Sequence, residues 1–219
     1  MKKLILATAL VAAFSSQVMA ASNPVTAGIG TTIAGKATDG STPGQNSGVV
    51  RFKGKVVDQT CTVATESQDQ IVVLDTVSKN RFTATEKTAM PTPFDIQLNG
   101  CTVNQPGANK ATRVKARFAS VANVDTAHNY TLKNTKAGGA TNVNIQLFNA
   151  DGVTAIAPMQ RTTTGTPPTH KSDDLAKFVD ITDPNQVLRY VAKYYATDVA
   201  ANITTGEVES AVDFELTYE

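Results

Sequence analysis

Residues 208–219, Val-Glu-Ser-Ala-Val-Asp-Phe-Glu-Leu-Thr-Tyr-Glu, admit little besides a β-strand. Val208, Val212, Phe214, Leu216 and Tyr218 share one parity, with Ser210 among them. Glu209, Asp213, Glu215, Thr217 and Glu219 share the other, with Ala211. Side chains of a strand alternate between two faces, so this stretch offers an apolar face to a core and an acidic one to water. A helix, at 100° per residue, would scatter the same apolar side chains around its circumference. The sequence ends at Glu219, and the second edge of the strand needs a partner. An unpaired edge is a row of free backbone donors and acceptors, which proteins cover, charge or use.

The other end of the chain reads as an export signal. Lys2 and Lys3 precede a short apolar run, and Val18-Met-Ala20 supplies small residues for cleavage after Ala20. The run is shorter than the roughly 20 residues of a membrane-spanning helix. Without residues 1–20, Lys+Arg falls from 20 to 18, by Lys2 and Lys3, against 19 Asp+Glu, so the formal net charge is −1. A charge so near zero offers no field for nucleic acid or anionic lipid. Cys61 and Cys101 both lie in the exported part. In that setting an isolated pair most simply forms one disulfide, and neither Cys has a His or second Cys at metal-ligand spacing.

Residues 21–47 differ in composition from the remainder of the exported chain. The stretch 37–47 is rich in Gly, Ser, Thr, Pro and Asn, the composition of a flexible linker. Before it, Val25, Ala27, Ile29, Thr31 and Ile33 alternate with Thr26, Gly28, Gly30, Thr32 and Ala34, a short strand-like segment with no charge before Lys36. From residue 48 on, strand succeeds strand. Val50, Phe52 and Val56 share a parity; Cys61 and Val63 come next; Ile71-Val-Val-Leu74 is a compact apolar run. Phe94, Ile96 and Leu98 alternate with polar residues, as do Val114, Ala116 and Phe118, then Val143, Ile145 and Leu147. Leu188, Tyr190, Ala192 and Tyr194 form a further set. Asn99-Gly100 and Asp151-Gly152 mark turns. About eight strands and no helix point to an all-β sandwich or barrel. Residues 104–110 and 151–183 read as surface loops.

The sequence holds no motif for catalysis. His128 and His170 are its only histidines and lie far apart; no nucleophile elbow, zinc-protease helix or phosphate loop is present. Asp173-Asp174 reads as a solvated loop pair. The reading is of a protein that is not an enzyme and takes no cofactor or metal. Asn129-Tyr-Thr131 and Asn202-Ile-Thr204 match a glycosylation sequon, which carries little alone.

The ordered motifs resemble the pilin subunits of chaperone–usher fimbriae. Residues 48–61, Gly-Val-Val-Arg-Phe-Lys-Gly-Lys-Val-Val-Asp-Gln-Thr-Cys, are similar to that family's opening strand and first cysteine. Residues 69–77 are similar to its next strand, and residues 93–101 to the strand entering the second cysteine. Residues 140–147, residues 194–197, Gly206 and the penultimate Tyr218 complete the set. It most resembles major shaft subunits of the type 1 kind, and residues 89–94 resemble the haemagglutinating-pilus branch.

The resemblance implies an immunoglobulin-like β-sandwich lacking its final strand, completed by a donor strand from a neighbouring subunit. It implies a signal peptide at 1–20, a donor extension and linker at 21–47 and a pilin domain at 48–219. The implied partners are identical or related pilin subunits in a head-to-tail polymer, a periplasmic chaperone and an outer-membrane usher. The implied place is a fimbria on the bacterial surface, supporting adhesion to host cells. Gly206, Val212, Phe214, Leu216 and Tyr218 would line the groove and meet chaperone or subunit. Val25, Ala27, Ile29, Thr31 and Ile33 would form the donor strand. Residues 21–60 are longer than the same stretch in many relatives, so a donor at residues 44–52 is the alternative. A minor adaptor subunit or a carbohydrate-binding adhesin module is the other functional reading.

Overall fold

The computed structural model describes residues 54–57, 61–103, 110–161 and 174–219. The expected signal segment, the donor segment at 25–33 and its alternative at 44–52, His170 and Asp173 lie outside them. Among the described residues, ten strands form two sheets. The larger has the order β1 (Thr62–Val63), β2 (Thr88–Asn99), β9 (Val187–Ala196), β6 (Val143–Asn149), β5 (Thr131–Leu132) and β4 (Val124–Asp125). The smaller has β10 (Asp213–Tyr218), β3 (Arg113–Ser120) and β7 (Met159–Gln160), with β8 (Val179–Asp180) also paired to β3. All pairs are antiparallel except β3 with β7.

The long strands follow the alternation of the sequence. Inward residues of β2, β9 and β3 meet between the sheets, where Ile96, Leu98, Leu188, Val114 and Ala116 are wholly buried. Phe94, Phe118, Tyr190 and Phe214 stack through this core, with ring centroids 5.1–6.5 Å apart along the chain of contacts. Edge-to-face and tilted contacts of this kind add to the gain from burial. The Cys61–Cys101 disulfide joins the entry to β1 with the exit of β2.

Several expectations are corrected. The run 71–74 forms no strand: Ile71 and Val73 project into solvent, and among the described residues 70–77 make no backbone–backbone hydrogen bond. A single helical turn, α1 (Thr65–Gln68), appears where no helix was expected. The stretch 151–183 is not all loop, since β7 and β8 lie within it. Asp174 is not a solvated carboxylate. It is buried 2.7 Å from Lys115 Nζ, which also donates to the Ala176 carbonyl and lies over the Phe178 ring. Lys115 has the outward parity of β3, yet residues 174–178 fold over it, and periodicity alone cannot report such a cover.

One side chain fills a gap that strand pairing leaves. Between β8 and β7 the free edge of β3 has no neighbouring strand among the described residues, and there the Ala116 N–H donates to the Tyr190 hydroxyl at 3.0 Å. Burial pushes the Tyr190 phenol up to about 12. In β2 the register shifts between Ala89 and Thr92, with Met90 at φ 52°. Pro93 lies just beyond, on the edge away from β9, where its missing N–H costs no ladder bond.

Candidate functional site: an unpaired strand edge

The site is the outer edge of the last twelve residues. Arg113 and Glu219 exchange backbone hydrogen bonds of 3.0 and 3.2 Å. In an antiparallel pair such bonded positions alternate with positions whose N–H and C=O point away. The register Asp213↔Ala119 to Tyr218↔Val114 therefore directs residues 213, 215 and 217 at β3 and residues 214, 216 and 218 away from it. Among the described residues no strand pairs with that second edge.

The same alternation continues upstream of β10. The Glu207 carbonyl accepts from Ala140 N at 2.9 Å, and the Glu209 carbonyl from Thr135 N at 2.8 Å. The Ala211 carbonyl accepts from Asn123 Nδ2 at 2.8 Å. Odd-numbered positions from 207 to 219 thus bond into the domain. Among the described residues, the even-numbered positions from 208 to 218 form one continuous unpaired edge.

The side chains of that edge face the core without being sealed in it. Val212, Phe214, Leu216 and Tyr218 pack against the main core cluster, and all four are only half-buried. Val208 packs against a second cluster around Phe82 and Ile203, which Val77 also joins. Val77 ends the segment 70–77, so that segment and the terminal one meet at this cluster. At the other end the Tyr218 hydroxyl donates to the Cys61 carbonyl at 3.1 Å. Burial pushes the Tyr218 phenol up. Ser210 is the polar member of the row, and its hydroxyl is buried with no partner among the described residues.

The opposite face of β10 is charged and paired. Arg161 meets Glu215 at 3.1 Å and Asp213 at 3.8 Å, and Arg113 meets Glu219 at 3.0 Å. These are exposed pairs of small energetic weight. They mark this face as the solvent side.

Gly206 stands apart from the other four expected groove residues. It lies before β10, exposed, with its backbone against loop 138–140. A Cβ there would lie 2.6 Å from Ala140 N and 2.8 Å from Gly139 C, backbone atoms that cannot step aside. The periodicity gave no sign of the groups that hold this approach, above all Asn134, Gly139 and Asn123. Asn134 and Gly139 lie in a loop rich in turn-forming residues, a signal for a loop but not for its contacts, and Asn123 lies just before β4.

A second open place is a cleft of about 350 Å³ between residues 66–73 and the outer edge of β2, lined in part by Ile71, Phe94 and Asp95. Among the described residues no group of three or more His, Cys, Asp or Glu could hold a metal ion.

Comparison with known proteins bears on what such an edge is for. Residues 50–219 match the family model described as fimbrial protein. A major fimbrial subunit of Haemophilus influenzae is 43% identical over 198 residues, covering 84% of this chain and 92% of the relative. The F17 fimbrial protein of Escherichia coli is 45% identical over 173 residues, covering 78% and 87%. Among solved structures, the P pilus rod subunit PapA superposes with a TM-score of 0.53 at 22% identity, covering 74% of this chain and all of that one. A chain of a chaperone–usher pilus superposes with a TM-score of 0.53 at 23% identity, covering 81% and 99%. The two-sheet arrangement is thus the immunoglobulin-like sandwich of pilus subunits.

Proposed function

The chain belongs to the fimbrial protein family, and we propose that its unpaired edge receives an extended segment from the N-terminus of another subunit. The protein is a structural subunit of a surface fimbria. The observation that carries the docking proposal is the continuous even-numbered row from Val208 to Tyr218. Its backbone groups meet no partner strand among the described residues, and its side chains stand half-buried over the core.

A strand added to this edge satisfies the backbone donors and acceptors, and its alternate side chains complete the core. Val25, Ala27, Ile29, Thr31 and Ile33 supply such an alternation, and residues 44–52 are the second candidate. Val212, Phe214, Leu216 and Tyr218 form the receiving face, and Gly206 sets the approach to it. Because donor and acceptor are different surfaces, the contact is head-to-tail and does not close, so it propagates a fibre. A periplasmic chaperone that covers the edge after export, and an outer-membrane usher where exchange takes place, complete the pathway. An aggregation-prone edge needs such cover before assembly.

Deleting residues 21–36 from the chain, co-expressed with its chaperone and usher, tests the donor assignment. The expected product is a folded, chaperone-bound subunit that forms no SDS-resistant ladder. A normal ladder moves the donor to residues 44–52. If the unaltered chain forms no ladder, strand exchange itself is wrong.

A further inference from the structure

We infer that Asn134, with the Gly139–Gly206 contact, is a positioning device that holds the free edge in register while it is empty. The inference rests on the docking reading above. A strand bonded on one side only should fray, since each unpaired residue keeps conformational entropy that a second neighbour would remove. β3 restrains residues 213–219, but residues 206–211 lie beyond it. Loop 133–141 takes over there.

Asn134 uses both ends of its amide. Nδ2 donates to the carbonyls of Ala140 at 2.8 Å and Glu207 at 3.0 Å. Oδ1 accepts from the backbone N–H of Glu209 at 2.9 Å and of Lys136 at 3.0 Å. One side chain thereby stands in for a piece of neighbouring strand, bonding two successive odd-numbered positions of the terminal segment. This is the parity that leaves Val208 and Ser210 facing the open edge.

Two glycines allow the loop to come this close. A Cβ on Gly139 would collide with the Glu207 carbonyl, and one on Gly206 with Ala140 N. Lys136 adds ion pairs to Glu207 and Glu209 at 3.0 and 2.9 Å, and both acidic partners raise its ammonium pKa. Asn123 continues the restraint at Ala211. These contacts lie on the odd-numbered side, so a docked strand would not displace them.

The consequence separates assembly rate from fibre stability. In the empty subunit Asn134 holds the first half of the edge; in the fibre the docked strand holds it as well. Asn134→Ala should slow ladder formation by about tenfold, the order expected for one or two net hydrogen bonds. Fibres once formed should dissociate in hot SDS at the unaltered temperature. Asn134→Gln keeps donor and acceptor but displaces both by one methylene, and should slow assembly by a smaller factor, about threefold. It serves as the second variant if Asn134→Ala fails to fold.

The experiment follows the SDS-resistant ladder over time for the full chain with chaperone and usher, then the heat dissociation of purified fibres. Slow assembly with unchanged dissociation supports the inference. An unchanged assembly rate overturns it. Slow assembly with fibres that fall apart at lower temperature also overturns it, because Asn134 would then be an ordinary structural residue. No ladder from the unaltered chain removes the docking reading itself.

Discussion

Among the described residues, strand β9 has β2 on one edge and β6 on the other, whereas β10 has β3 on one edge alone. Both alternate apolar and polar residues. In β9 the inward residues Leu188, Tyr190 and Ala192 are buried, while in β10 their counterparts Phe214 and Leu216 are half-exposed. Alternation therefore decides which face turns to the core but not whether the core is finished. The partial exposure of Phe214 and Leu216 is what the docking proposal requires of a receiving face.

Altering the anchor that both regions share should produce the largest effect. Replacing Cys61 and Cys101 with alanine frees a loop with a sequence separation of 40, at a cost of about 4 kcal/mol on the chain-entropy account. Urea unfolding of the chaperone-free subunit measures it. The Tyr218 end of the edge should loosen first, because Tyr218 bonds to Cys61.

The comparison itself is tested by two leucines. Leu188→Ala should cost about 3 kcal/mol by urea unfolding, as for a sealed core position. Leu216→Ala should cost only about 1 kcal/mol in the subunit, because much of its side chain is already in water. In the fibre the Leu216 change should lower the dissociation temperature more than the Leu188 change does. Equal costs in the subunit would mean that β10 is as closed as β9.

A polar site remote from the edge calibrates the scale. Asp125 resists burial, which acts to raise its pKa, but hydrogen bonds from His128 and Asn144 prevail and hold its carboxyl below the usual range. A carboxylate with a depressed folded pKa stabilises the fold above its unfolded value of about 3.9. That contribution is lost as pH falls through the folded value. Asp125→Asn should cost about 1 kcal/mol at pH 7, and the gap to the unaltered chain should close at acid pH. A gap that persists at pH 2 would show that charge is not the cause.

The smallest effect belongs to the edge again. Ser210→Ala removes a buried hydroxyl that has no partner among the described residues, so stability should rise or hold within about 0.5 kcal/mol. A loss above 1 kcal/mol would mean that the hydroxyl is satisfied in solution.

Much of this was legible in the sequence because the long strands are strictly periodic. β2, β3, β6, β9 and β10 each show their alternation, and the two cysteines stand alone in the chain. The rest depends on contacts between distant segments. Lys115 and Asp174 look solvated one at a time and become a buried pair only when residues 174–178 cross β3. Residues 71–74 look like a buried strand, yet no neighbour comes within bonding reach of their backbone among the described residues. Strands of two residues, such as β4 or β7, are too short to carry a period. Gly206 was legible as a glycine worth noting, but its reason lies in loop 138–140, more than sixty residues away in sequence.

Amide hydrogen exchange across residues 207–219, in the chaperone-free subunit and in the fibre, tests the central claim most directly. The account predicts an alternating pattern in the subunit: fast exchange at Ser210, Val212, Phe214, Leu216 and Tyr218, slow exchange at Glu209, Glu215 and Thr217. In the fibre the fast set should become protected while the slow set stays slow. Protection of the even-numbered amides in the isolated subunit, or their continued fast exchange in the fibre, would contradict it.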